Sequence, residues 1–212
     1  NRADELNGKT VGIIGLGNTG TAFAKLLKGF DVKILAHDIY KKGFETDQIK
    51  AASLQQIQQE AHIISLHLPL TALTLHYANE TFFGACKQQP YFISTCRGSV
   101  TETGAVLKAL QNQWVRGVGL DVLENEQFAN YSPSEKQQLE AILAFPNAII
   151  TPHIAGYSHE AYYKMARIVL EVPSVTSCIF TPSFGSPPIV PSPTIITQLV
   201  SKGPAKASNW HS

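Results

Sequence analysis

Val11-Gly12-Ile13-Ile14-Gly15-Leu16-Gly17-Asn18-Thr19-Gly20 is the stretch on which the fold turns. A β-branched apolar run leads into Gly15, Gly17 and Gly20, which fall in the pattern G-x-G-x-x-G. Phe23, Leu26, Leu27 and Phe30 follow at helical spacing. Between a strand and a helix, the first glycine of such a loop permits a tight turn and the second lets a pyrophosphate approach the backbone. The third lets helix and strand pack closely. Asn18 and Thr19 then stand at a helix N-terminus, where free N–H groups face an anion. A second apolar run, Val32–His37, ends in Asp38, eighteen residues after Gly20. A carboxylate there accepts hydrogen bonds from ribose hydroxyls and repels a 2′-phosphate, although Lys41 and Lys42 soften the repulsion. The cofactor expected is therefore NAD ahead of NADP.

Outward from this loop, short β-branched runs alternate with amphipathic segments, without internal repeats. Thr10–Ile14, Val32–His37, Ile63–Leu68, Tyr91–Thr95, Gly117–Asp121 and Ala148–Thr151 read as strands covered on both faces. Ser53–Gln56 and Ser132–Glu135 fit capping boxes, Val106, Leu107 and Leu110 mark a further helix, and Ala161–Leu170 a last one. Gln55–Glu60 reads as a solvated helix face. Regular strand–helix alternation predicts an α/β fold, a Rossmann-type doubly wound parallel sheet with helices on both faces.

Composition sets the boundaries. The chain has 212 residues, 44% hydrophobic and 16% charged, with a formal net charge of +1, enough apolar content for a core and no polyanion-binding balance. No nucleic-acid or membrane partner is expected, and the location expected is cytoplasmic. Three cysteines make no disulfide framework, and Cys86, Cys96 and Cys178 read as small or incidental thiols. His62, His76, His159 and His211 are scattered without metal-ligand spacing, so no metal is expected. Residues 173–212 hold seven of the twelve prolines, eight serines and no acidic residue. They read as a poorly ordered Pro/Ser-rich tail with apolar contacts at Val175–Phe180 and Ile195–Val200, after a domain at 1–172. The only methionine is Met165, so the chain reads as a piece of something longer.

Ligands of open α/β sheets bind beyond the carboxyl ends of the strands. Arg97 follows one such end in Ser94-Thr95-Cys96-Arg97-Gly98. Asp121 and Glu126 follow another in Gly119-Leu120-Asp121-Val122-Leu123-Glu124-Asn125-Glu126. His153 follows a third in Thr151-Pro152-His153-Ile154-Ala155-Gly156. A guanidinium grips a carboxylate through two parallel hydrogen bonds. An imidazole shuttles a proton near neutral pH, as hydride transfer at a carbinol carbon requires.

With these segments, and with Ser65-Leu66-His67-Leu68-Pro69-Leu70-Thr71, the chain from about Glu5 to Glu171 resembles the nucleotide-binding domain of the D-isomer-specific 2-hydroxyacid dehydrogenases. Its overall flavour is similar to a phosphoglycerate dehydrogenase-like branch, which implies a link to serine biosynthesis. The resemblance implies an NAD-dependent oxidoreductase acting on a small 2-hydroxyacid or 2-ketoacid. It implies that Arg97 binds the substrate carboxylate and carbonyl, that His153 is the acid/base, and that Glu126 pairs with His153 and holds it protonated, with Glu124 the alternative. It further implies cofactor contacts from Asp121, Thr95, Cys96, Arg97 and His153 with Ala155 and Gly156 at the nicotinamide end. Asn18 and Thr19 would meet the pyrophosphate, and His67, Leu68, Pro69 and Thr74 would line the adenine-to-ribose wall. Family members carry a second, substrate-gripping domain that is not read here, and they suggest a homodimer at full length. The chain alone is therefore expected to bind NAD and turn over poorly. A competing expectation is a non-enzymatic NAD-binding or corepressor-like module.

Overall fold

The computed structural model describes residues 4–171, and its sheet is built from runs dominated by β-branched and aromatic side chains. The strands are β1 (Thr10–Ile14), β2 (Lys33–His37), β3 (Ile49–Ala51), β4 (Ile63–Leu66), β5 (Tyr91–Ser94), β6 (Gly117–Leu120) and β7 (Ala148–Ile150). They pair in parallel in the order β3-β2-β1-β4-β5-β6-β7. The helices are α1 (Asn18–Leu26), α2 (Leu54–Glu60), α3 (Glu80–Gly84), α4 (Thr103–Gln111), α5 (Pro133–Leu143) and α6 (His159–Glu171). The chain divides into two units, one ending at Ala155 and one beginning at Gly156, whose described part holds α6. Expectations for residues 173–212, including the contacts at Val175–Phe180 and Ile195–Val200, lie outside the described residues, as do Cys178 and His211.

In the first unit the period-2 pleat sorts the core. Val11, Ile13, Ile34 and Ala36 point to the cluster shared with Ala24 and Leu27 of the α1 side. Ile14, Leu35, Ile64, Leu66 and Phe92 point to the larger cluster with Ile57, Phe83, Val106 and Ile142 from α2 to α5. Phe83 meets Phe92 edge to face at 4.9 Å, and neither ring is exposed.

Several local expectations change. Ile49–Ala51 forms a seventh strand at the sheet edge, hidden in the sequence because it is three residues long with Lys50 in its middle. Gln55–Glu60 is not a solvated face. Ile57 is buried and Gln58 donates its Nε2 to Phe82 O at 3.0 Å. The approach is possible because β1 carries Gly12 under α2, where a Cβ would come within 2.5 Å of Ile57 Cγ2. Ser53 caps α2 by accepting from Gln56 N–H, but the Gln56 side chain runs forward to Glu60, so only half of a capping box forms. The box at Ser132 and Glu135 is complete. Helix α1 breaks into a 3-10 turn at Leu27–Gly29, which leaves Leu26 and Phe30 exposed and buries Gly20, Ala24 and Leu27 instead.

Strand order reverses between β1 and β4, so the loops leaving these two strands part in opposite directions. The crevice this creates is where open α/β sheets bind their ligands.

Candidate functional site

The glycine turn closes over the exit of β4. Gly15 has φ +92°, a left-handed conformation that disfavours a side chain, and a Cβ on it would lie 2.5 Å from His67 O. A Cβ on Gly20 would lie 2.0 Å from Gly15 O, so the turn and α1 can meet only through a glycine. Gly17 differs. Its φ is −66°, and a Cβ there would meet no atom within 4 Å. Nothing inside the fold requires a glycine at that point, and the space beside it is open to a ligand. Gly17 also starts α1 without a side-chain cap, whereas Ser53, Asn79 and Ser132 cap their helices. The first N–H groups of α1 are thus left for an anion. These features fit a dinucleotide pyrophosphate.

Gly17, Asn18 and Thr19 line an open cleft of about 580 Å³ with His67, Leu68, Pro69, Thr95, Cys96 and Arg97. Nine of the residues expected around a cofactor therefore share one space. Ser65 Oγ lies 3.0 Å from His67 Nε2, and burial pushes the imidazole below its usual value, so it forms a neutral wall. Thr74 has its hydroxyl turned inward, donating to Pro69 O at 2.6 Å and accepting from Thr71 N–H, so it shapes the loop.

Asp38 stands at the end of β2, where expected, but its carboxylate is already engaged. Oδ2 accepts from Leu16 N–H at 2.7 Å, and Oδ1 accepts from the N–H groups of Tyr40 and Lys41 at 2.9 and 2.8 Å. Burial works to raise this carboxyl, and the three amides outweigh it, holding it below the usual range.

A second cavity, about 90 Å³, gathers Asp121, Glu126, Thr151 and His153. His153 Nδ1 lies 3.0 Å from Glu126 Oε2, which leaves Nε2 free for other chemistry. His153 adopts φ +53°, a conformation costing a non-glycine residue about 1 kcal/mol or more. Asp121 holds it there. Its buried carboxylate accepts from Thr151 Oγ1 at 2.5 Å and from Ile154 and Ala155 N–H at 2.9 Å, while its carbonyl accepts from His153 N–H. Burial favours the neutral acid, but Thr151, the two amides and the nearby His153 ring keep the carboxyl below its usual range. Asp121 is thus occupied with the His153 turn. Gly156 belongs to the second unit.

Arg97 lies on a firm seat. A Cβ on Gly98 would fall 1.7 Å from Leu123 O, so the Arg97 loop rests on the backbone that leads to Glu126. From the other side, His76 and Ala78 donate their N–H groups to Ser99 and Val100. Glu124 ties the pieces together, reaching His76 Nε2 at 2.7 Å and accepting from Thr103 N–H at the start of α4. Of the two acids weighed from the sequence, Glu126 is the one at His153. Arg97 Nη1 donates to Cys96 O, and no ion pair joins Arg97 to Glu126 or His153 among the described residues.

The sequence reading missed His76, Glu124 as a tie, and Thr151 as a ligand of Asp121. Their partners are remote along the chain, and no spacing motif marks such pairs. Among the described residues no cluster could hold a metal ion, and no helix is long and apolar enough to cross a membrane.

Residues 1–155 match the family model described as D-isomer specific 2-hydroxyacid dehydrogenase, NAD binding domain. A glyoxylate reductase of Thermofilum pendens is 40% identical over 167 residues, covering 77% of this chain and 47% of that protein. A D-specific alpha-keto acid dehydrogenase of Enterococcus faecalis is 37% identical, over 74% of this chain and 49% of its own length. Among solved structures, the D-lactate dehydrogenase of Aquifex aeolicus complexed with NAD and lactic acid superposes with a TM-score of 0.76 at 31% identity, covering 84% of this chain and 55% of that one. The chain spans about half the length of the curated relatives it matches.

Proposed function

The chain belongs to the D-isomer-specific 2-hydroxyacid dehydrogenases and carries their NAD-binding domain, and from that premise we propose that it is the cofactor half of an enzyme reducing a small 2-oxoacid or oxidising the matching D-2-hydroxyacid. The observation that carries this reading is the His153–Glu126 pair beyond the end of β7, on the same edge of the sheet as the open face of Gly17.

The glycine turn and the α1 N-terminus would hold the pyrophosphate, and the wall from His67 to Pro69 and the residues from Thr95 to Arg97 would flank the rest of the dinucleotide. NAD, when bound, supplies or accepts the hydride. Arg97 would grip the substrate carboxylate through its guanidinium fork. Glu126 accepts from His153 Nδ1 and so aims Nε2 at the substrate oxygen, where it gives a proton in reduction and takes one in oxidation. Asp121 and Thr151 keep the ring on station.

The finer proposal concerns substrate and assembly. Relatives named glyoxylate reductase and D-lactate dehydrogenase support short 2-oxoacids, and a phosphoglycerate dehydrogenase-like branch with a role in serine biosynthesis is the competing arm. A cytoplasmic homodimer at full length completes the reading. The test is an NADH fluorescence titration of the 212-residue chain, paired with turnover assays of its full-length parent on glyoxylate, pyruvate and 3-phosphohydroxypyruvate. Saturable NADH binding, with turnover in the parent lost on His153→Gln, is the expected result. No NADH binding by the chain would overturn the cofactor reading. Binding with no turnover of any 2-oxoacid by the parent would replace the enzyme with a non-enzymatic NAD-binding module.

A further inference from the structure

Arg97 and the His153–Glu126 pair would meet one substrate, the first at its carboxylate and the second at the neighbouring oxygen. Among the described residues no ion pair joins them, so their spacing is set by what carries each of them. Arg97 precedes the turn Gly98–Val100, which closes through Val100 N–H to Arg97 O and Thr101 N–H to Gly98 O. His76–Ala78 runs beside this turn. His76 N–H donates to Ser99 O at 2.8 Å, Ala78 N–H donates to Val100 O at 3.0 Å, and Ala78 bridges to Thr101 in parallel. Glu126 rides on a different piece of chain, the irregular segment between β6 and α5.

Glu124 spans the two. Its Oε1 lies 2.7 Å from His76 Nε2, and its Oε2 accepts from Thr103 N–H. Thr103 opens α4, whose N-cap residue Glu102 makes no side-chain cap. The Glu124 carboxylate supplies the missing acceptor, at the helix end that favours negative charge. Among the described residues, these two bonds are the side-chain hydrogen bonds that cross from the 122–126 turn to the frame of Arg97. His76 has φ +49°, a conformation unfavourable to a residue with a Cβ and kept where the surroundings enforce it. Asn125 anchors the turn separately to α5, donating to Glu135 Oε1 at 2.8 Å while its carbonyl accepts from Tyr131 OH.

We propose that Glu124, with His76 as its partner, is a positioning residue of the reaction. It holds the loop of Arg97 and the turn of Glu126 as one unit, and so fixes the span between the group that grips the substrate carboxylate and the acid/base pair. The inference rests on the enzyme reading above and adds to it the part that sets the geometry. Neither residue touches the reacting atoms. A misplacement of about 1 Å can cost on the order of a hundredfold in rate, so releasing this tie has a large effect from a distance. The two residues act differently. Loss of His76 frees the 76–78 side of the Arg97 loop and leaves Glu124 on α4, so substrate binding suffers first. Loss of Glu124 frees both segments, so binding and the chemical step fall together.

The experiment is steady-state kinetics of the full-length parent on whichever of glyoxylate, pyruvate and 3-phosphohydroxypyruvate it reduces fastest. NADH titration and urea unfolding of the 212-residue chain run beside it. His76→Ala is expected to raise the 2-oxoacid KM about tenfold with kcat held within about threefold, and Glu124→Ala to lower kcat/KM about a hundredfold through both constants. His76→Gln and Glu124→Gln keep a hydrogen-bonding group at each position and should recover most of the loss. NADH affinity should stay within about threefold in all four variants. A fall in kcat that follows the unfolded fraction, with KM unchanged, would make Glu124 a support of the fold alone and overturn the proposal. Kinetics of both alanine variants equal to those of the unaltered parent would also overturn it while leaving the proposed function intact. If Glu124→Ala does not fold, His76→Ala decides, because it leaves the α4 cap in place: a raised KM reversed by His76→Gln sustains the proposal, and an unchanged KM refutes it. A parent that binds NADH and turns over no 2-oxoacid would bring down the enzyme reading and this one together.

Discussion

Gly17→Ala separates the demands of the fold from those of the ligand. The backbone at Gly17 has φ −66°, open to any residue, and the added Cβ meets no atom within 4 Å. Two small effects oppose each other. Alanine is a poorer N-cap than glycine by up to about 1 kcal/mol. It also restricts the unfolded chain, a gain of about 0.4–1 kcal/mol. Stability should therefore change by less than about 1 kcal/mol, a urea-midpoint shift under about 0.5 M for a slope near 2 kcal/mol/M. Binding should behave otherwise, because the methyl occupies the space through which a pyrophosphate reaches the backbone. One displaced hydrogen bond to a charged oxygen is worth about 1.5–3 kcal/mol, or roughly a 10- to 100-fold loss of NADH affinity. Gly20→Ala is the internal control, since its Cβ would lie 2.0 Å from Gly15 O. It should lose NADH binding and also unfold earlier, by about 3 kcal/mol or more. Urea unfolding and NADH titration of the three proteins decide the matter. If Gly17→Ala retained NADH affinity within threefold, or unfolded as early as Gly20→Ala, the assignment of that space to a phosphate would be wrong.

Asp121→Asn keeps one accepting oxygen but turns an amide toward a backbone N–H, so the buried turn loses a charge-assisted bond worth about 2–3 kcal/mol; hydrogen exchange at Ile154 and Ala155 should quicken, and unchanged exchange would dissociate Asp121 from the His153 turn. The Glu135 carboxyl is lowered from the usual 4.5 to about 2, first by Asn125 and then by the Ser132 side chain and amide. A depressed folded-state value means that its stabilisation is fully present above the ordinary glutamate range and drains away as pH falls toward about 2. Carboxyl NMR should show that late inflection, and titration at the ordinary value would contradict the complete capping box. Burial pushes the Cys86 thiol up to about 12, so iodoacetamide at pH near 8 should spare Cys86 in the native chain and label it in urea, as peptide mass spectrometry would reveal.

Much of the fold was legible because its signals are local. Strand–glycine–helix order, period-2 runs and the Ser132 cap each lie within a dozen residues, and the sheet follows from repeating them. Short edge structure was not legible. Ile49–Ala51 forms a strand because β2 offers a partner, not because of its own pattern. The burial of Gln58 was hidden for a similar reason, since it depends on a carbonyl in α3 and on the bare surface at Gly12. At the candidate site, residue types at strand ends pointed to Arg97, Glu126 and His153, while the supports around them did not show. His76 meets Glu124 only after the sheet has brought three loops together, and the inward turn of the Asp38 carboxylate depends on backbone geometry.

The contact between Gly98 and Leu123 has a consequence for how such a protein can change. A Cβ on Gly98 would lie 1.7 Å from Leu123 O, so the backbones already meet, the loop bearing Arg97 has little room to shift toward the 122–126 turn, and movement of that turn presses on the loop. Substitutions on the two segments should therefore interact non-additively in double-mutant cycles. Drift at either segment is constrained by the other, so diversification is channelled to surfaces that do not share this contact. Change in this scaffold is expected at the parts facing the cleft, with the mount of Arg97 and of the His153–Glu126 pair left alone.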